Sequence, residues 1–191
     1  MYTHCMKTLP TCLLLGVMSA LAAPQAGATD ESLHEHRHAH AITSFETMYG
    51  VDGPFVGDAN PIRGVIGDEL PWAIAHSIRG ELDSAGHLII LVHGLVFKDD
   101  PSVPPDLRGI NDEAEFRGLV SCLTEVGDTV ETRNVMTQGF PANRHGNSFI
   151  HATLALPNPC VAPVVMVVAG SEDKWFAVSG VEIEQDNKLA Q

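Results

Sequence analysis

The sequence predicts an all-β domain: a sandwich (Ig-like or related) of about seven or eight antiparallel strands, closed by one disulfide. Three observations predict it. Short runs rich in Val, Ile, Leu and Thr recur between clusters of Gly, Asp, Asn, Ser and Pro. The clearest run, Trp72 to Asp83, alternates apolar with small or charged residues, the period of a half-buried strand. No long segment after the N-terminal region repeats its apolar residues at helical spacing.

The N-terminal region is set apart by its chemistry. Lys7 supplies a positive charge, Leu9 to Ala23 is mostly apolar around Leu13-Leu14-Leu15, and Ala26-Gly27-Ala28 offers small residues for cleavage. That layout is a secretory signal. The apolar stretch is short for a bilayer, which needs about 20 apolar residues, so an uncleaved anchor is the lesser reading. Cys12 stands near the start of the apolar stretch, after Leu9-Pro10-Thr11 and ahead of Leu13-Leu14-Leu15, so it is out of place for lipid attachment. Cleavage falls after Ala28, or after Ala23. The expected organisation is a signal at 1–28, a His-rich leader without regular structure at 29–47, the sandwich at 48–184 and a tail at 185–191. The protein is expected to be secreted or periplasmic, with no stable membrane insertion once the signal is removed.

Export decides the cysteine arithmetic. Cys5 and Cys12 leave with the signal, and Cys122 and Cys160 remain. Two cysteines in an oxidising compartment have one internal pairing open to them. No CxxC or other zinc or redox spacing occurs.

Along the domain, Met48 to Asp68 is broken by Gly50, Gly53, Pro54, Gly57, Pro61 and Gly64, with room for one short strand near Ile62 to Ile66. Trp72 to Asp83 and His87 to Phe97 flank the turn residues Asp83-Ser84-Ala85-Gly86 and form a hairpin. The second strand, with Leu88-Ile89-Ile90-Leu91-Val92, is apolar enough to be covered on both faces. Lys98 to Glu115 carries Pro101, Pro104, Pro105 and Gly109 among many acids and is the longest loop. Five more strands follow, at Phe116 to Thr124, Thr129 to Gln138, Asn147 to Leu156, Val161 to Ala169 and Trp175 to Ile183. Glu113 to Glu125 has some helix propensity, but Gly118 and Val120 oppose it.

Acids outnumber bases, 24 to 11, for a net charge of −13. Such a surface repels phosphate backbones and anionic lipid heads, so no nucleic-acid partner is expected. The one local concentration of ligand chemistry is His34, His36, His38 and His40, alternating with Glu35, Arg37 and Ala39. In an extended chain these rings share a side and suit Zn, Cu or Ni weakly, because a tail must first be ordered at about 1–2 kcal/mol per residue. No other cofactor is expected.

Other patterns carry less. His93-Gly94 resembles the oxyanion turn of an α/β-hydrolase, yet no Gly-x-Ser-x-Gly elbow exists to go with it. The acidic loop lacks the Asp-x-Asp-x-Asp-Gly order of an EF-hand. His76, His87, His145 and His151 could build a small hydrolase site with Glu81 or Asp83 only if the fold gathers them. Trp72 and Trp175 lie in strand patterns and are expected in the core.

Met48-Tyr49-Gly50-Val51-Asp52-Gly53-Pro54-Phe55, Gly109-Ile110-Asn111-Asp112-Glu113, Pro157-Asn158-Pro159-Cys160 and Gly170-Ser171-Glu172-Asp173-Lys174-Trp175-Phe176 together resemble small exported bacterial proteins described only as hypothetical. The resemblance covers about residues 48–183. It implies a bacterial secreted or periplasmic β protein and brings no catalytic residues. The functional expectation is a non-enzymatic binding or structural domain, with metal capture by the His tract and a small hydrolase as alternatives.

Overall fold

The structure is a computed structural model that describes residues 39–180. The expected signal, most of the expected leader and the expected C-terminal tail lie outside the described residues.

Eleven strands form two sheets: β1 Ala41–Phe45, β2 Met48–Gly50, β3 Ile66–Gly67, β4 Trp72–Asp83, β5 His87–Phe97, β6 Glu115–Val126, β7 Thr129–Met136, β8 Phe140–Pro141, β9 Ser148–Thr153, β10 Val161–Ala169 and β11 Lys174–Ser179. The smaller sheet has the order β1-β4-β5-β9. The larger runs β2-β11-β10-β6-β7, with β3 beside β11 and β8 beside β6. All pairings are antiparallel except β3 with β11. A 3-10 turn at Gly53–Phe55 is the only helical element among the described residues. None of the described helices is long and apolar enough to cross a membrane.

The sheets meet over one core. Trp72 of β4 stacks on Phe176 of β11, ring centres 4.0 Å apart and 18° from parallel, and lies 4.2 Å from Phe97 of β5. Phe116 of β6 meets Phe176 edge-on at 5.9 Å. Leu88, Ile90 and Ile150 of the smaller sheet close on Gly118 of β6, where a side chain would strike all three. Each fully buried large apolar side chain contributes about 1.5–3 kcal/mol, and each aromatic pair adds about 0.5–1.5. Trp72 and Trp175 are both buried, as their strand positions require.

The disulfide joins Cys122 of β6 to Cys160, just ahead of β10, with Cα atoms 4.9 Å apart. β6 and β10 are neighbours in the larger sheet, and the bond lies beside the irregular start of their pairing, between Val161 and Val164. The bond staples two strands of one sheet.

Three expectations need correcting. The strands are more numerous than predicted, because β1, β2, β3 and β8 are short pieces recruited by a longer neighbour. The leader does not run unstructured to residue 47. Ala41–Phe45 pairs with β4, and Phe45 sets its ring over Gly80, the one position on that stretch without a side chain. Third, β5 is covered on both faces only in its last residues, Leu95 to Phe97; from His87 to His93 it alternates buried and open.

Candidate functional site

The most concentrated chemistry is a carboxylate group at one end of the sandwich. β3 runs beside β11, and the Asp68 amide donates to the Trp175 carbonyl at 3.2 Å, which fixes Asp68 in the interior. Its carboxylate accepts the Trp72 indole N–H at 2.7 Å. Glu69 and Glu172 reach the same place from β3–β4 and β10–β11 connections, and the three carboxylates lie within 4.8 Å of one another. Lys174 is bound to both Glu69 and Glu172, the latter at 2.7 Å.

Burial pushes the Asp68 carboxyl up, against the pull of the Trp72 hydrogen bond, and the neighbouring Glu69 pushes it further. The Lys174 ammonium holds Glu69 down. Desolvation works against the Lys174 charge, but Glu172 and Glu69 outweigh it and raise that group. Divergent neighbouring carboxyls are how acid–base pairs are made. Here, however, the Lys174 ammonium already binds Glu69 and Glu172, and the Trp72 indole N–H already serves Asp68. A cation could occupy the point of convergence only by displacing Lys174. The adjoining cleft, about 190 Å³, is floored by Trp72, Phe97 and Phe176, whose rings are committed to the core. The arrangement is a polar network, with Lys174 at its centre, that ties β3, β4 and β11 together.

A second cleft, about 320 Å³, opens where β2 and β4 part, lined by Met48, Tyr49, Ile74, His76 and Lys98. Its polar end is an ion pair of Lys98 with Asp52, and Asp52 also caps the 3-10 turn through the Gly53 amide at 2.8 Å. That contact raises the Lys98 ammonium. The pair closes the turn between β2 and the segment that follows.

That segment explains a difference between the two outer faces. It lies over the larger sheet. Phe55 packs edge-on against Trp175 at 6.2 Å. The Arg63 guanidinium donates to the Ala162 carbonyl on β10 at 3.0 Å, while the Arg63 carbonyl accepts from Asn134 on β7 at 3.2 Å. β10 and β7 flank β6, so Arg63 crosses the outer surface of β6. Arg63 and Ala162 both hold positive φ, 53° and 47°.

No described segment covers the outer face of the smaller sheet in this way. Register places Glu81, Ile89 and His151 in one row across β4, β5 and β9, and Arg79, Leu91 and Phe149 in the next. Ile89 is 46% exposed and Phe149 49%. The Phe149 and His151 rings stack at 4.9 Å and 19°, and Phe140 braces His151 from the β8 side at 5.1 Å. This is an apolar centre with a charged rim.

The histidines are not gathered. His34, His36 and His38 lie outside the described residues. His40 is exposed, and its backbone pairs with Ser84, the amide donating to Oγ at 3.0 Å. His87 meets Asp83 through Nδ1 at 2.7 Å. Slight desolvation of Asp83 is outweighed by the His87 amide and ring and the Ala85 amide, which hold its carboxyl low. His76, His93, His145 and His151 sit apart, and among the described residues the three carboxylates form the one group with metal-ligand spacing. Gly94, after His93, has φ 78° and gives its amide to Asn147 Oδ1 at 3.0 Å. That donor is already engaged, so the resemblance to an oxyanion turn does not extend to geometry.

Sequence reasoning missed the carboxylate group and the Phe149 surface. Asp68-Glu69 and Glu172 are about a hundred positions apart and only the β3–β11 pairing joins them. Phe149 was visible only as a strand residue whose face was unassigned. The chain matches no known protein family, and comparisons with curated proteins and with solved structures likewise give no match.

Proposed function

We propose that this is an exported binding module, secreted or periplasmic, acting by recognition and not by catalysis. Its recognition surface is the bare outer face of the smaller sheet, and its partner is a polypeptide that presents apolar side chains. The carrying observation is the asymmetry of the two faces. Among the described residues, a segment of the chain lies over one sheet, while on the other Ile89 and Phe149 are exposed and Leu91 is half-buried beside them. Apolar side chains clustered in the open inside a polar rim mark protein–protein contact. Arg79, Glu81 and His93 supply that rim, and Phe149, held by His151, is a rigid aromatic anchor of the kind that dominates such contacts. The N-terminal signal pattern and the Cys122–Cys160 bond support an extracytoplasmic location.

The test is a random peptide library displayed on phage, panned on the disulfide-bonded protein and counter-selected on Ile89→Ser/Phe149→Ser. Recovered peptides should carry aromatic or aliphatic residues, and Phe149→Ser should weaken them about tenfold or more. Recovery of the same peptides by protein and variant overturns the reading.

One observation favours metal capture by the His tract as a second reading. The tract ends at His40, whose backbone is bound to Ser84, inside the turn where Asp83 orients His87 by Nδ1. A carboxylate on one ring nitrogen is how proteins prepare the other for a metal. Zinc titrated into the full chain should bind, weaken with His87→Gln and vanish when residues 29–38 are deleted. Undiminished binding by the deleted form excludes this role.

A further inference from the structure

The four sheet edges are protected unequally. β1 has an irregular register at Ala41/Thr43. β2 has three residues. β9 has six and is flanked by Phe140 of β8 through His151. β7 has eight, mostly exposed, and pairs with β6 over its whole length with no bulge. A long, straight, open edge normally carries a bulge, a proline or repelling charges to prevent pairing with another chain. β7 has neither bulge nor proline, and its only charges are Glu131 and Arg133.

Those two charges are arranged to attract a copy of themselves. The β6–β7 hairpin turns through two residues, Gly127-Asp128, with Gly127 at φ 61°. The closing pair Val126–Thr129 of such a hairpin exchanges both backbone bonds, and the pattern then alternates. Hence Val130, Thr132 and Asn134 turn their N–H and C=O groups to the open edge. We propose that β7 is the contact strand of a two-fold dimer, Thr132 pairing with Thr132 of a second copy. In that register Val130 faces Asn134, and Glu131 faces Arg133 in the non-hydrogen-bonded position, where side chains approach closest. Within one chain Arg133 already holds Glu131 at 2.9 Å. Across the axis each carboxylate gains a second guanidinium, and the four groups alternate in sign. The contact is isologous, so it closes at two copies. It also covers Val130, at 68% exposure the most open of the described large apolar residues. The larger sheet continues from one molecule into the next.

Sedimentation of the disulfide-bonded protein should show a monomer–dimer equilibrium with a dissociation constant below about 100 μM. Glu131→Arg places arginines opposite each other at two symmetric points and should weaken association about tenfold or more. Glu131→Arg/Arg133→Glu restores every opposite pair and should return it to within about threefold of wild type. Thr132→Pro removes an outward N–H while sparing the bonds to β6, and should leave a monomer with unchanged near-ultraviolet circular dichroism. A monomer at 100 μM (about the limit set above), a double variant no better than the single, or a ladder of larger species each overturns the proposal.

Discussion

Gly118 offers the sharpest test of how the two sheets meet. A Cβ at this position of β6 would lie 2.8 Å from Leu88 Cδ2, 3.2 Å from Ile150 Cγ2 and 3.4 Å from Ile90 Cδ1. All three belong to the smaller sheet and all are fully buried. Carbon atoms rest at about 3.5–4.0 Å, so Gly118→Ala must push the Leu88 methyl back by about 0.7 Å or more with no void to receive it. Overpacking of this size costs about 1–3 kcal/mol, and alanine recovers a fraction of that through its better strand propensity. Gly118→Ala should therefore lose about 1 kcal/mol and Gly118→Val, with two more methyls, about 3. Leu88→Ala alone opens a cavity and should cost about 2–4 kcal/mol. Combined with Gly118→Val it makes the room the valine needs, so the pair should fall short of additivity by about 1–3 kcal/mol. Urea unfolding followed by tryptophan fluorescence measures all four species. Additive losses, within about 0.5 kcal/mol, would refute the facing of β6 against β5 and β9.

Further expectations concern the staple, the buried carboxyl and the strained turn. The disulfide spans 38 positions, so Cys122→Ala/Cys160→Ala should lower unfolding free energy by roughly 4 kcal/mol; an unchanged urea midpoint contradicts its structural role. Asp68 has a raised pKa in the folded protein, so its contribution to stability is greatest below the ordinary value of 3.8 and declines as pH rises through the folded value. Asp68→Asn keeps an acceptor for Trp72 and removes this decline, flattening the pH dependence of stability above pH 3.8; Glu69 and Asp83, held low, still withdraw stability as pH falls through their folded values. Asp68→Ala strands the buried indole N–H and should cost about 1–3 kcal/mol at every pH, so equal behaviour of the two variants contradicts the assignment. At Arg63, Gly relieves the positive φ while losing the bond to Ala162, and Ala loses the bond while keeping the strain, so Arg63→Gly should be more stable than Arg63→Ala by about 1 kcal/mol in thermal unfolding.

What the sequence revealed and what it hid follow one physical line. β4, β5, β6, β7 and β10 were legible because each is long enough for alternation or β-branched density to show, and Asp83-Ser84-Ala85-Gly86 and Gly127-Asp128 announce their turns. β2, β3 and β8 are too short to carry a period, and their existence depends on β11 and β6 being there to pair with. β1 reads as leader in the sequence because His38 and His40 stand just ahead of it, while Phe45 finds its place only through Gly80. The disulfide pairing could be deduced by counting. The bare face could not: Leu88-Ile89-Ile90-Leu91-Val92 reads as uniformly apolar, and which parity is covered depends on β6 and β11 closing on one side and no described segment crossing the other. The carboxylate network was invisible for the same reason, since Lys174 meets Glu69 only across the β3–β11 pairing.

Proposed export and disulfide closure are tested most directly together by the intact mass of the protein recovered from outside the cytoplasm. Measured without reduction and after thiol alkylation in denaturant, it should correspond to a chain beginning at Thr29 or Pro24, about 2 Da below the reduced mass, with no alkyl group added. A chain beginning at Met1, or one alkylated at both Cys122 and Cys160, would contradict them.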